Sequence, residues 1–495
     1  MPDNAYDFVI AGGTVIDGTG APRRAADIGV SGGQIVAVGA PGSLGGGAAR
    51  HDATGKIVAP GFIDVHTHDD HALLSKPDMA YKASQGVATV VAGNCGISLA
   101  PLIFTGDRPP PPLDLLGDGY RFPKMADLFD ALEATPPALN AALLCGHTTL
   151  RVGAMDDLRR GATDAEIKTM RAALSEALDA GAIGMSTGLY YEPANAAPTQ
   201  EVIALARLLG PAGALYTTHL RDEGAHLLQS MNEAFEIGRA AGVKVVLSHH
   251  KSSGRSNFGA TRESLALIDR VRQEQDVALD VYPYHASSTV LSIDRVRESR
   301  RVIITWSVPR PEFAGRDLDD IANDLGCTLE EAAAALLPAG AIYFMMDEAD
   351  VQRVLRYKHA MVASDGLPHD EFPHPRLWGT FPRVLGHYSR ELGLISLEDA
   401  VRRMSGLPAA EFGLTGRGVI AVGNHADIVI FDADTVIDRA DFSHPTEPAA
   451  GIETVFVNGQ PVWRDGASTG ARPGQMLRRQ ALQAAAARRQ TSSAR

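Results

Sequence analysis

The chain has 495 residues with a net charge of −13, and 45% of them are hydrophobic against 21% charged. That composition supplies a sizeable core and excludes a disordered chain or a coiled coil. The acidic balance disfavours nucleic acid and anionic membranes as partners, and three cysteines (Cys95, Cys145 and Cys327) imply no disulfide framework.

The N-terminus has no basic segment followed by an apolar one, and no run approaches the ~18 uninterrupted apolar residues of a membrane span. A cytoplasmic protein without a signal peptide is therefore the expectation. Residues 6 to 60 alternate apolar and polar positions between Gly-rich turns, which predicts short strands. The far end repeats this pattern in HADIVIFDAD and AGIETVFVNGQPVW, with Asn458-Gly459 as a hairpin turn. Both ends are therefore expected to build one small β domain, residues 1–61 with 416–480.

The middle, residues 62–415, alternates apolar runs with helix-like segments. PGFID, GVATVVAGN, ALNAALLCG, AIGMSTGL, GALYTTHL, VKVVLSHH, VALDVYPY and HAMVASDG read as strands. TDAEIKTMRAALSEALDAG reads as a helix, capped by Thr163 with Glu166 three residues on and stopped by Gly181. About eight repeats predict an α/β fold with a closed (β/α)8 barrel, whose active residues lie at the C-terminal strand ends. Residues 108 to 118 form a Pro-rich connector. Residues 285–345 interrupt the rhythm as an insertion long enough to be a lid. The final ALQAAAARRQTSSAR, low in complexity, reads as frayed.

Chemistry concentrates where these apolar runs end. His66 and His68 lie two apart after PGFID, so an extended backbone points both imidazoles to one face. Cys95, His219, His249 and Asp365 end four other runs. Each alone has an ordinary structural explanation: a buried Cys as a small hydrophobe, a His as a satisfied core residue, an Asp before Gly as a turn former. In a barrel, strand ends form one small ring, and nitrogen and sulfur donors gathered there suit zinc. Spacing alone does not choose between His249 and the adjacent His250.

The motifs DVHTH (64–68), GNCG (93–96), STGLYYEPA (186–194), SHHK (248–251), DVYPY (280–284) and the block from Ser364 to Glu391 resemble the N-acyl-D-amino-acid deacylases of the amidohydrolase superfamily. The resemblance runs over nearly the whole chain. It implies a barrel with a flanking β-sandwich, a small-molecule N-acyl-D-amino acid as substrate, and hydrolysis to a D-amino acid and a carboxylate. It implies a tight zinc on Cys95, His219 and His249, with His66 and His68 at a weaker second position. Cys95 stands where many superfamily members use a carboxylated lysine, which disfavours a hydantoinase or dihydroorotase. It implies Asp365 as the proton-transfer group, and Lys251, Tyr282, Ser288 and Arg376 as the grip on the substrate α-carboxylate.

For the D side chain, the resemblance puts Tyr190, Tyr343 and Met346 in the pocket walls. It places Arg297 where members that prefer apolar side chains align a Leu. An Arg there predicts a preference for N-acyl-D-glutamate, because a buried guanidinium needs an anion. The alternative for Arg297, among Arg295, Arg300 and Arg301, is a solvated lid residue. For the whole chain the alternatives are a deacylase of apolar D-amino acids, an amidohydrolase acting on cyclic amides or dipeptides, and a barrel scaffold without turnover. Oligomeric state is not legible.

Overall fold

The computed structural model describes residues 6–45, 49–106, 108–117 and 119–493. Eight parallel strands form its centre: β1 (Phe62–Asp64), β2 (Val87–Ala92), β3 (Asn140–Gly146), β4 (Gly184–Gly188), β5 (Leu215–His219), β6 (Val245–Leu247), β7 (Val277–Val281) and β8 (Ala360–Val362). They lie side by side in chain order. The circle closes through a Thr67–Gly366 bridge and a hydrogen bond of 2.9 Å from Asp365 N to His66 O. The closed (β/α)8 architecture expected from the alternation is thus present. All eight strands are buried, as continuous apolar runs in a helix-covered parallel sheet must be. The period of two divides their side chains: Ile63, Val91, Leu144, Leu215, Val246 and Met361 fill the barrel, while Val90, Leu143, Tyr216, Val245 and Leu279 face the helices.

The helix predicted after β3 spans Asp164–Ala180. Thr163 Oγ1 accepts from Glu166 N, Glu166 caps the Thr163 backbone in return, and the helix ends at Gly181 with φ 124°. The C-terminal segment, expected to fray, is instead a helix over Arg479–Ser493. Its start docks on carbonyls in the last turn of the Asp164–Ala180 helix: Arg479 Nη2 donates to Leu178 O at 2.7 Å, and Gln480 Nε2 to Asp179 O at 2.8 Å. Composition does not reveal such a partner.

Strands from both ends of the chain share one seven-stranded sheet, in which Ile57–Pro60 pairs antiparallel with Ile428–Phe431. The Ile452–Val457 and Gln460–Arg464 hairpin turns at Asn458 and Gly459, both with positive φ. A four-stranded sheet of N-terminal strands lies against it over a shared apolar core containing Ile10, Ile28, Val58 and Ile430.

Between β7 and β8 the insertion forms its own small unit. Ser287–Val290, Ala339–Tyr343 and Val302–Ser307 make an antiparallel sheet, backed by helices at Ile293–Glu298, Leu318–Leu325 and Leu329–Leu336. Its core, with Val296, Ile304, Leu336 and Tyr343, also takes in Tyr282 and Tyr284 just beyond β7. The insertion therefore packs directly onto the loop that leaves the barrel mouth.

Removing the capping hydroxyl at the start of the Asp164–Ala180 helix should cost ~1 kcal/mol. Thr163→Ala is therefore expected to lower the thermal midpoint while leaving metal content and turnover unchanged, which melting curves and metal analysis on one preparation will check.

Candidate metal and active site

The C-terminal ends of six strands bring seven titratable side chains together. His66 and His68 follow β1, Cys95 follows β2, and His219 is the last residue of β5. His249 follows β6, Asp280 lies within β7 and Asp365 follows β8. Two overlapping sets have donor atoms within 4.8 Å of one another: His66, His68, Cys95 and Asp365, and Cys95, His219 and His249. Cys95 belongs to both. Its Sγ lies 3.2 Å from His66 Nε2 and 3.5 Å from His249 Nε2, and Asp365 Oδ1 lies 3.4 Å from His66 Nε2 and 3.3 Å from His68 Nε2.

Local backbone geometry is unusual at three of these positions. Cys95, His249 and Asp365 have φ of 53°, 37° and 52°. Left-handed backbone at non-glycine residues costs of order 1–3 kcal/mol each and survives where the surroundings over-determine it, as at functional sites. The GNCG motif has a steric reason in Gly93, φ 88°, where a Cβ would strike the Leu144 carbonyl. Ser186 fastens the same loop by donating to Gly93 O and accepting from Gly96 N.

Charge within the cluster balances. Burial pushes the Cys95 thiol up, but the His66 and His249 imidazoles outweigh this and hold it well below its usual value, as a thiolate. Burial pulls His66 down, and Cys95, Asp280 and Asp365 more than reverse it. His68, burial notwithstanding, is raised to about 9 by Asp365 and Cys95. Asp365 is held well below the carboxylate range, since Arg376, His66 and His249 outweigh its burial. Burial keeps His219 on the low side. Neither of its ring nitrogens has a hydrogen-bond partner, although it is buried. A thiolate, imidazoles and a carboxylate with unpartnered buried nitrogens fit a metal ion, and sulfur with nitrogen donors selects zinc over magnesium or calcium.

The structure separates the two adjacent histidines. His249 faces Cys95, with its backbone N–H held by Asp280 Oδ1 at 2.8 Å. His250 turns away to Ser264 Oγ at 2.8 Å, and burial lowers its pKa to about 4, leaving it neutral.

Glu223 and Asp280 escaped sequence reasoning. Glu223 Oε1 lies 3.0 Å from His249 Nδ1 and 2.6 Å from Lys251 Nζ, and Asp280 Oδ1 lies 3.4 Å from His66 Nδ1. Carboxylates in these positions fix the tautomer of a metal-binding histidine. Asp280 lies in the DVYPY motif, which offered a signal; Glu223, in a loop rich in polar residues, offered none.

The expected carboxylate-binding residues gather around Tyr282. Arg376 sits 4.7 Å over its ring, with Nη1 2.9 Å from Asp365 Oδ2 and Nη2 donating to Ser288 O at 3.0 Å. Lys251 Nζ lies 5.5 Å from the same ring, and Met346 Sδ 3.9 Å from the Tyr282 hydroxyl. Ser288 Oγ is buried without a partner. Tyr343 donates to Val290 O and accepts from Ser292 N, and so braces the insertion. Tyr190 stands at the mouth, its ring 5.7 Å from that of His219.

Arg297 is placed elsewhere than expected. Its side chain is 59% exposed and pairs with Asp294 at 3.1 Å and Glu330 at 3.4 Å, both on the insertion itself. The inward position belongs to Arg295, which is 7% exposed. Its guanidinium lies 4.2 Å over the Tyr190 ring, and its Nε donates to the Tyr190 hydroxyl at 2.9 Å. Among the described residues no carboxylate lies within 4 Å of Arg295. A helix turns 100° per residue, so a shift of two exchanges the inner face for the outer.

The amidohydrolase family profile matches residues 51–305 and 329–463, and this chain belongs to that family. It is 56% identical over 480 residues to a D-aminoacylase of Alcaligenes xylosoxydans xylosoxydans, a match that covers 96% of this chain and 98% of that one. An N-acyl-D-aspartate deacylase from the same organism is 53% identical, with 95% of each chain covered. Among solved structures, the N-acyl-D-glutamate deacylase of Bordetella bronchiseptica superposes with a TM-score of 0.92 at 49% identity, covering 96% of this chain and 99% of that one. That structure holds zinc and a phosphonate that mimics the tetrahedral intermediate.

Loss of either Cys95 or His249 leaves the deeper donor set with two members, too few to hold zinc tightly. Purified Cys95→Ala and His249→Ala are expected to contain little zinc, while His250→Ala keeps the wild-type content, as measured by elemental analysis.

Proposed function

We propose that this protein is a zinc-dependent deacylase that hydrolyses N-acyl-D-amino acids to a D-amino acid and a carboxylate. The observation that carries the reading is the convergence of the two donor sets on one shared thiolate, with Asp365 and Arg376 paired beside them. Near-complete coverage by D-aminoacylase and D-specific deacylases supports it.

Cys95, His219 and His249 would hold the tight zinc, and His66 and His68, with the shared Cys95, a weaker second position. Bound zinc polarises an amide carbonyl and lowers the pKa of its water toward ~7. The chain's own residues do the rest. Asp365, ionised and bordering both imidazoles, accepts the proton of the attacking water and delivers it to the departing amine nitrogen. Arg376, Lys251, Tyr282 and Ser288 surround one space beside it and would hold the α-carboxylate, the planar guanidinium binding both oxygens. The insertion contributes Ser288 and packs onto Tyr282, and would so cover this space and limit the access of bulk water.

Overall likeness does not choose the D side chain, because relatives with different substrates are similarly identical to this chain. A local feature supports one class. Among the described residues Arg295 is a buried cation with no carboxylate within 4 Å, and a carboxylate-bearing substrate side chain would supply one. The proposed preference is therefore for acidic N-acyl-D-amino acids, N-acyl-D-glutamate first, with Arg295 in the role that sequence reasoning gave to Arg297. The rings of Tyr190 and Tyr343 lie 4.2 and 5.8 Å from the guanidinium and Met345 Sδ 3.7 Å from it, and these side chains would wall that pocket.

Two measurements test these assignments. Asp365→Asn keeps the side-chain shape but cannot accept a proton, so kcat should fall by about 10² or more while the zinc on Cys95, His219 and His249 remains. A loss below about tenfold would move the proton acceptor elsewhere. The ratio of kcat/KM for N-acetyl-D-glutamate over N-acetyl-D-methionine should exceed one in the wild type, collapse in Arg295→Leu, and stay unchanged in Arg297→Leu. Turnover of the L enantiomers at equal rates would overturn the D assignment.

A further inference from the structure

The barrel is laddered everywhere except at one seam. Each neighbouring strand pair from β1–β2 to β7–β8 has a backbone ladder. Between β8 and β1 the described residues show only the Thr67–Gly366 bridge and the Asp365 N to His66 O hydrogen bond. That seam nevertheless carries His66, His68 and Asp365.

Side chains do there what the ladder does elsewhere. Lys82, on the short helix Ala80–Ala83 behind the seam, is wholly buried, as are Asp64, Asp69 and Ser364. Lys82 Nζ donates to Asp64 Oδ2 at 2.7 Å and to Ser364 Oγ at 2.6 Å, with Asp69 Oδ2 at 3.6 Å. Asp64 Oδ1 accepts from Ser364 N at 2.9 Å, and Ser364 Oγ accepts from Gly366 N at 3.1 Å. Tyr81 donates to Asp69 Oδ1 at 3.0 Å. The ammonium thus grips the residue two before His66, the residue after His68, and the residue before Asp365. The Ser364 hydroxyl passes the grip to the residue after it.

We propose that Lys82 and Ser364 are positioning residues that hold Asp365 in its left-handed conformation, at working distance from His66 and His68. A backbone with φ 52° at an aspartate relaxes unless both flanks are tied, and here residues 364 and 366 share one hydroxyl. Neither Asp64 nor Asp69, the carboxylates that Lys82 faces, belongs to the two donor sets. The network acts on the proton acceptor by geometry, and misplacing a reacting group by about 1 Å can cost 10²-fold in rate. The proposal rests on Asp365 as the proton-transfer group.

Ser364→Ala tests it with the least disturbance, because the Lys82–Asp64 pair survives. The expected result is a kcat lower by roughly 10- to 100-fold, with KM for N-acetyl-D-glutamate and zinc content at wild-type values. In a crystal structure of the zinc-loaded variant, Asp365 should leave the left-handed region or its carboxylate should move off His66 and His68. A second variant, Lys82→Met with Asp64→Asn, removes both charges of the pair together so that neither is left buried alone, and should show the same loss with zinc retained. An Asp365 that keeps its place in the Ser364→Ala crystal overturns the proposal, as does a kcat within about threefold of wild type. Parallel loss of zinc, melting temperature and kcat in both variants, with Asp365 in place, would make the network a structural clamp and overturn it equally. Because the crystal readout needs no turnover, its failure is distinct from failure of the deacylase reading, which the wild-type assay decides alone.

Discussion

Everything at the barrel mouth depends on compensating buried charge around the Cys95 sulfur. A thiolate in a dry interior is costly unless cations or a metal surround it. Here the imidazoles of His66 and His249 approach it directly, and His219 and His68 complete the ring. Those imidazoles in turn need acceptors for their outer nitrogens. Asp280 lies 3.4 Å from His66 Nδ1 as a counter-charge, Glu223 lies 3.0 Å from His249 Nδ1, and Lys251 balances Glu223. The result is a nested set of opposite charges in which removing one member exposes the next.

This constraint explains why the strained positions are where they are. Cys95, His249 and Asp365 all have positive φ, and each follows a strand whose regular twist would carry its side chain elsewhere. Converging on one point from separate strands requires leaving extended geometry just past the strand ends. The cost is met by local fastening: Ser186 for the Cys95 loop, Asp280 for the His249 backbone, and the Lys82–Asp64–Ser364 network for Asp365. The barrel supplies the rigid platform, and these ties convert it into a site.

Much of the fold was legible because burial on both faces writes parallel strands as unbroken apolar runs, and all eight were readable as such. The Thr163 and Glu166 cap and the Asn458-Gly459 turn were legible because both are local contacts, encoded within a few residues. The C-terminal helix was not, because what orders it is a set of carbonyls about 300 positions earlier in the chain. Glu223 was likewise invisible: nothing in its neighbourhood distinguishes it from the flanking Asp222 until the fold brings it to His249 and Lys251.

The architecture and the donor types were readable in the chain, since periodicity and strand-end placement are local properties. Which of two neighbouring candidates faces the site was settled by packing. It turned His249 inward and His250 outward, and it sent Arg295 to Tyr190 while Arg297 found Asp294 and Glu330. The local pattern was symmetric in the second case, because Arg295 and Arg297 each have an acidic residue three positions away on the same helix. What broke the symmetry was the rotational setting of the Ile293–Glu298 helix, fixed when Val296 entered the core of the insertion, and a helix's rotation about its axis is set by what it packs against.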